Sequence, residues 1–85
     1  MKKATAEKIL PEIQAIRDYF NPSIATSVVG DYEIRCTPRS VVWSSELLAL
    51  QRFLDKFNEA GYPDGEFLAF CVIGTPDGRG KLVIY

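Results

Sequence analysis

The stretch Gly74-Thr75-Pro76-Asp77-Gly78-Arg79-Gly80-Lys81 has the composition of a loop that cradles phosphate. Such a loop needs two glycines with four residues between them, then lysine and a hydroxyl residue that holds magnesium. The spacing here fails in both directions. Counted forward from Gly74, the second glycine falls on Arg79; counted back from Gly80, the first falls on Thr75. Leu82 stands where the hydroxyl is required, and a β-rich run follows instead of a helix whose N-terminus would face the anion. The segment reads as a hairpin turn.

Other chemistry finds as little support. Asp31, Glu33, Asp64, Glu66 and Asp77 are the carboxylates outside the helices, mostly at turns or strand ends, where such groups are solvated or serve turn geometry. The chain has no histidine to share proton transfer with them. Cys36 and Cys71 are far apart in sequence and lack the spacing of a metal-ligand pair. Both sit in apolar runs, where a free cysteine behaves as a small hydrophobe. No serine can be matched with a base. The expectation is a protein without metal or cofactor, and not an enzyme.

A net charge of −1 and a pI near 5.3 argue against a strongly electrostatic partner, because nucleic-acid-binding domains commonly have a pI above about 9. Local basic ends do exist. Arg35 and Arg39 flank one hairpin, and Arg79 and Lys81 flank another, a set that would contact phosphates if the fold brought it together.

The elements that must position these residues are legible from periodicity. Ala6, Ile9, Ile13, Ile16 and Phe20 make one helical face over about Thr5 to Phe20. Pro11 falls opposite that face, toward solvent, or in the first turn if the helix starts near Glu7. Asn21-Pro22 is the expected stop. Ile24 to Thr37 reads as a hairpin around a two-residue Gly30-Asp31 turn. That register sets Val29 opposite Tyr32, Ser27 opposite Ile34 and Ala25 opposite Cys36 as the apolar face. Val41-Val42-Trp43 is a candidate short strand.

Ser44 or Ser45 is placed to cap a second helix, with Glu46 in its first turn. Leu47, Leu50, Phe53, Leu54, Phe57 and Ala60 form its apolar arc, and Gly61 followed by Pro63 ends it. Glu66 to Ile73 and Lys81 to Tyr85 form a second antiparallel hairpin. The fold class is therefore α+β: two amphipathic helices packed on an antiparallel sheet of four or five strands, in the order α-β-β-(β)-α-β-β. Residues 1–85 are expected to form one small domain. The N-terminal residues lack the apolar run of a signal peptide, and no stretch approaches the ~20 apolar residues of a membrane span, so the expected location is cytoplasmic.

One feature points to function. In the C-terminal hairpin Phe67, Ala69, Cys71 and Ile73 fill one face, while Leu68, Phe70 and Val72 fill the other. Two-sided apolarity requires two covers. Either the helices lie on opposite faces of the sheet, or another protein or a second copy of the chain covers what the helices leave. Trp43, Leu48, Arg52 and Tyr85 are candidate contact residues: an aromatic beside the second helix, an apolar residue and an arginine on its polar arc, and the last aromatic of the hairpin. The expected role is an interaction module, adaptor, inhibitor or assembly factor acting through surface complementarity. Compact proteins encoded by phages and mobile elements offer an analogy of size and class. Nucleic-acid binding through Arg35, Arg39, Arg79 and Lys81 is the alternative.

Overall fold

The computed structural model describes residues 1–16, 21–37, 44–61, 66–76 and 80–85. Its elements are α1 (Lys3–Ile16), β1 (Pro22–Thr26), β2 (Tyr32–Cys36), α2 (Ser44–Ala60), β3 (Phe70–Ile73) and β4 (Lys81–Ile84). The strands form an antiparallel sheet in the order β1-β2-β4-β3. β2 and β4 therefore occupy the centre, and β1 and β3 form the edges. Pro22 suits the first position of an edge strand, where a missing N–H costs the ladder least. The candidate strand Val41–Trp43 lies outside the described residues.

α1 begins at Lys3, earlier than the spacing predicts, with Ala6 N–H donating to Lys2 O at 3.0 Å. Pro11 is thus inside the helix rather than in its first turn, and it is solvent-exposed. An interior proline costs about 3 kcal/mol. Ile9 and Ile13 are fully buried on the opposite side, and burial of each contributes about 1.5–3 kcal/mol. The apolar face outweighs the proline. Residues 17–20, including Phe20, lie outside the described set.

The first hairpin differs from the expected one. Ser27 N–H donates to Asp31 O at 2.7 Å, and Gly30 N–H donates to Ser27 O at 3.2 Å. The loop is therefore Val28-Val29-Gly30, with Gly30 at φ +91° in its third position, the geometry of a turn followed by a left-handed bulge residue. Ile24 now pairs with Ile34 and Ala25 with Glu33. Relative to a Gly30-Asp31 turn the pairing shifts by three positions, an odd number, so β1 turns over. Ile24, not Ala25, faces the core. Val28 and Val29 sit at the tip, 103% and 85% exposed. Their β-propensity yields to the burial of Ile24 and to the glycine that the loop requires.

α2 runs to Ala60, and Gly61 follows at φ +62°, as expected of a helix-ending glycine. The expected cap at Ser44 or Ser45 concerns side chains outside the described ones. β3 is shorter than the predicted run, because residues 66–69 precede the strand proper. Ala69 and Tyr85 nevertheless exchange two backbone hydrogen bonds, at 3.0 and 2.9 Å. Residues 77–79, where the sequence predicts a turn, lie outside the described residues; beside them, Gly80 N–H donates to Thr75 Oγ1 at 3.0 Å.

One core unites Ala6, Ile9 and Ile13 of α1 with Leu50, Leu54 and Phe57 of α2 and with Ile34, Cys36, Leu82 and Ile84 of the sheet. Those four sheet residues alternate with Glu33, Arg35 and Val83, so they share one face. Both helices consequently lie on the same face of the sheet.

Candidate functional site: an open sheet face and a free edge

The face away from the helices is built by alternate residues of each strand. Register places Ala25 beside Glu33, Arg35 beside Val83, Val83 beside Cys71, and Lys81 beside Ile73. Tyr85 and Phe67 continue the same alternation at the end of the hairpin. Val83, at the centre, is nearly buried, whereas Ile73 is 49%, Tyr85 52% and Phe67 76% exposed. Val72, on the helix side but at the outer strand, is 50% exposed. The exposed apolar residues of the hairpin thus gather at β3 and its approach.

β3 also has an unpartnered edge among the described residues. In an antiparallel ladder, residues that exchange both bonds with one neighbour alternate with residues whose N–H and C=O point the other way. Ala69 exchanges both bonds with Tyr85, so Cys71 does so with Val83, and Phe70 and Val72 aim their backbone groups away from β4. Leu68, next in that outward row, is already satisfied. Its N–H donates to Asn58 Oδ1 at 2.8 Å, and its carbonyl accepts from Asn58 Nδ2 at 2.9 Å. Asn58 is the residue that sequence reasoning missed. An amide four positions after Leu54 and next to Phe57, at the edge of the apolar arc, was the available signal.

At the other end of the open face, a groove of about 340 Å³ runs between the tip of the first hairpin and the end of β4. Val28, Val29, Tyr32, Val83 and Tyr85 supply apolar walls, and Asp31 and Glu33 supply two carboxylates. Met1 closes one side, exchanging backbone hydrogen bonds with Tyr32, each 2.9 Å long. The Ser27 hydroxyl borders the groove, buried and, among the described residues, without a hydrogen-bond partner.

The basic residues are differently disposed. Arg35 Nε donates to Glu33 Oε2 at 3.0 Å, and a second nitrogen reaches Thr26 O at 3.4 Å. Its charge is thereby partly matched in place. Lys81 stands on the same face, beside Ile73. Arg39 and Arg79 lie outside the described residues, as does Trp43. Leu48, 51% exposed, and Arg52 occupy the solvent side of α2, one turn apart. They are on the opposite side of the molecule from Tyr85, so the structure does not bring these contact candidates together.

Cys36 is fully buried in the core, and burial pushes its thiol up to about 12. A thiol so disfavoured as thiolate is inert at neutral pH. Cys71, which the sequence reads as a small hydrophobe, is only half-buried, on the open face. Among the described residues, no group of three or more cysteines and carboxylates is arranged to hold a metal ion, and no helix is long and apolar enough to cross a membrane. Comparison with protein-family models, curated proteins and solved structures returns no match.

Proposed function

We propose that this protein is a non-enzymatic interaction module of the cytoplasm, acting as an adaptor, inhibitor or assembly factor through the open face and free edge of its C-terminal hairpin. One observation carries the reading: α1 and α2 cover the same face of the sheet, so neither of them lies over the second apolar face of the hairpin. Exposed apolar residues gathered in one patch mark contact surfaces, while isolated ones need no explanation. By that standard Ile73, Tyr85 and Phe67 on the open face, with Val72 at the β3 edge, form the favoured surface, and Leu48, among the described residues the one exposed large hydrophobe of α2, does not. The groove beside Tyr85 suits an apolar side chain of the partner that is followed by a cation, since Asp31 borders it; Glu33, at the same wall, is already paired with Arg35.

The test is affinity capture on immobilised chain from a lysate of the cells that encode it. Wild-type protein and Leu48→Asp should retain the same stoichiometric protein, and Ile73→Asp and Tyr85→Asp should lose it while keeping the wild-type circular dichroism. Retention by both sheet-face variants would remove the reading.

A further inference from the structure

We propose that the occupant of the β3 edge is a second copy of this chain, its β3 antiparallel to the first, with Cys71 opposite Cys71 across a two-fold axis. The inference rests on the reading of this hairpin as a protein contact and specifies the partner. The edge is delimited on both sides. Asn58 occupies the outward groups of Leu68, and the strand ends at Ile73. Phe70 and Val72 are left as the residues whose outward N–H and C=O invite a ladder.

An identical strand laid antiparallel satisfies both at once. Phe70 pairs with Val72 of the second copy and Val72 with Phe70, each pair exchanging both of its hydrogen bonds. Moving the axis to Phe70 would set Val72 against a Leu68 whose groups Asn58 already holds. Moving it to Val72 would require Gly74, which is beyond the strand. The register centred on Cys71 is the one that the free groups select.

Side chains agree with it. Phe70 meets Val72 on the helix side, and Cys71 meets Cys71 and Ile73 meets Ala69 on the open face, so every cross-strand pair is apolar. From Phe67 to Pro76 the sequence carries no charge, so identical segments do not repel. Nor does β3 contain the lysine or proline that commonly blocks an edge. β1, the other edge, begins with Pro22. Pairing β3 with β1 of another copy would also leave free ends and propagate, whereas β3 with β3 closes as a dimer.

The register supplies its own reporter. Opposed residues that do not exchange hydrogen bonds have Cα atoms about 4.5 Å apart, within the span a disulfide bridges. Purified, reduced protein at high micromolar concentration should sediment at twice its 9.5 kDa mass. Diamide, taking up the two electrons and two protons released as two thiols join, should convert it to a covalent dimer on a non-reducing gel. Cys36→Ser should keep that band and Cys71→Ser should lose it. A monomeric mass together with no cross-link overturns the dimer; a dimeric mass without a Cys71 cross-link overturns this register. If the chain alone is monomeric but Ile73→Asp still abolishes capture of a different protein, the interaction reading stands and the second copy is excluded.

Discussion

Asn58 treats Leu68 as one strand treats another. Its amide nitrogen donates to the Leu68 carbonyl at 2.9 Å and its amide oxygen accepts the Leu68 N–H at 2.8 Å. A side chain on the last turn of α2 thus completes the backbone of the segment that leads into β3. It fixes where the hairpin starts relative to the helix and ends the free edge at Phe70.

Removing that amide leaves a part-buried N–H and C=O without partners, at a cost of about 1–3 kcal/mol. Asn58→Ala should lower stability by that amount in urea titration. Asn58→Asp, which keeps an acceptor and loses the donor, should also destabilise, through the unpaired carbonyl of Leu68. A change below a few tenths of a kcal/mol in Asn58→Ala would mean that the amide is dispensable.

Pro11 interrupts α1 at an exposed position. Alanine there restores an N–H for the helix ladder and removes the clash of the ring with the preceding turn. Pro11→Ala should raise stability by about 1–3 kcal/mol, read as a higher urea midpoint at unchanged slope. An unchanged midpoint would place the proline at a position where the helix is already relieved.

The turned-over β1 makes a contrast between neighbours. Ile24 packs against the core and Ala25 stands on the open face beside Glu33. Ile24→Ala should cost about 1–3 kcal/mol, less than a fully buried isoleucine because Ile24 is only part-buried. Ala25→Thr should stay within about 0.5 kcal/mol. The reverse ranking in thermal or urea melts would restore the register with Gly30-Asp31 as the turn.

Cys36 sets a limit on alkaline stability. Its thiol is raised from 9.0 to about 12 by burial, so the folded state holds the proton more tightly than the unfolded chain. Stability is therefore unaffected by this group below pH 9, then falls between 9 and 12 as the unfolded form sheds its proton, by on the order of 1 kcal/mol per pH unit. Wild type minus Cys36→Ala, measured by urea titration from pH 8 to 10.5, should show this decline. Parallel pH profiles for the two proteins would contradict it.

Much of the fold was legible because periodicity and punctuation agreed. α2 combines an apolar arc with Gly61 at its end, and the order of elements follows from two helical faces and two turn signals. The turn of the first hairpin is ambiguous in the sequence for a local reason. Gly30 fits either as the first residue of a two-residue turn or as the third of a three-residue loop, and two valines before it favoured the strand. Ile24, by its burial, decides between them. Two-sided apolarity of the last hairpin was visible in the sequence, but which face the helices leave open was not, since neither helix carries a mark of its side. Asn58 escaped for a related reason: a single polar residue near a helix end has many uses, and its pairing with Leu68 is a property of the tertiary arrangement. Trp43, Arg39 and Arg79, singled out by type, fall outside the described residues.

Among the described residues the outward backbone groups of Phe70 and Val72 face no neighbouring strand; pairing with a second chain would complete them, and amide hydrogen exchange reads this directly. Cys71, bonded to β4 in either state, serves as the internal reference. As protein concentration rises, protection of the Phe70 and Val72 amides should climb toward that of Cys71. Fast exchange at both positions at every concentration, with Cys71 still protected, would contradict pairing at this edge.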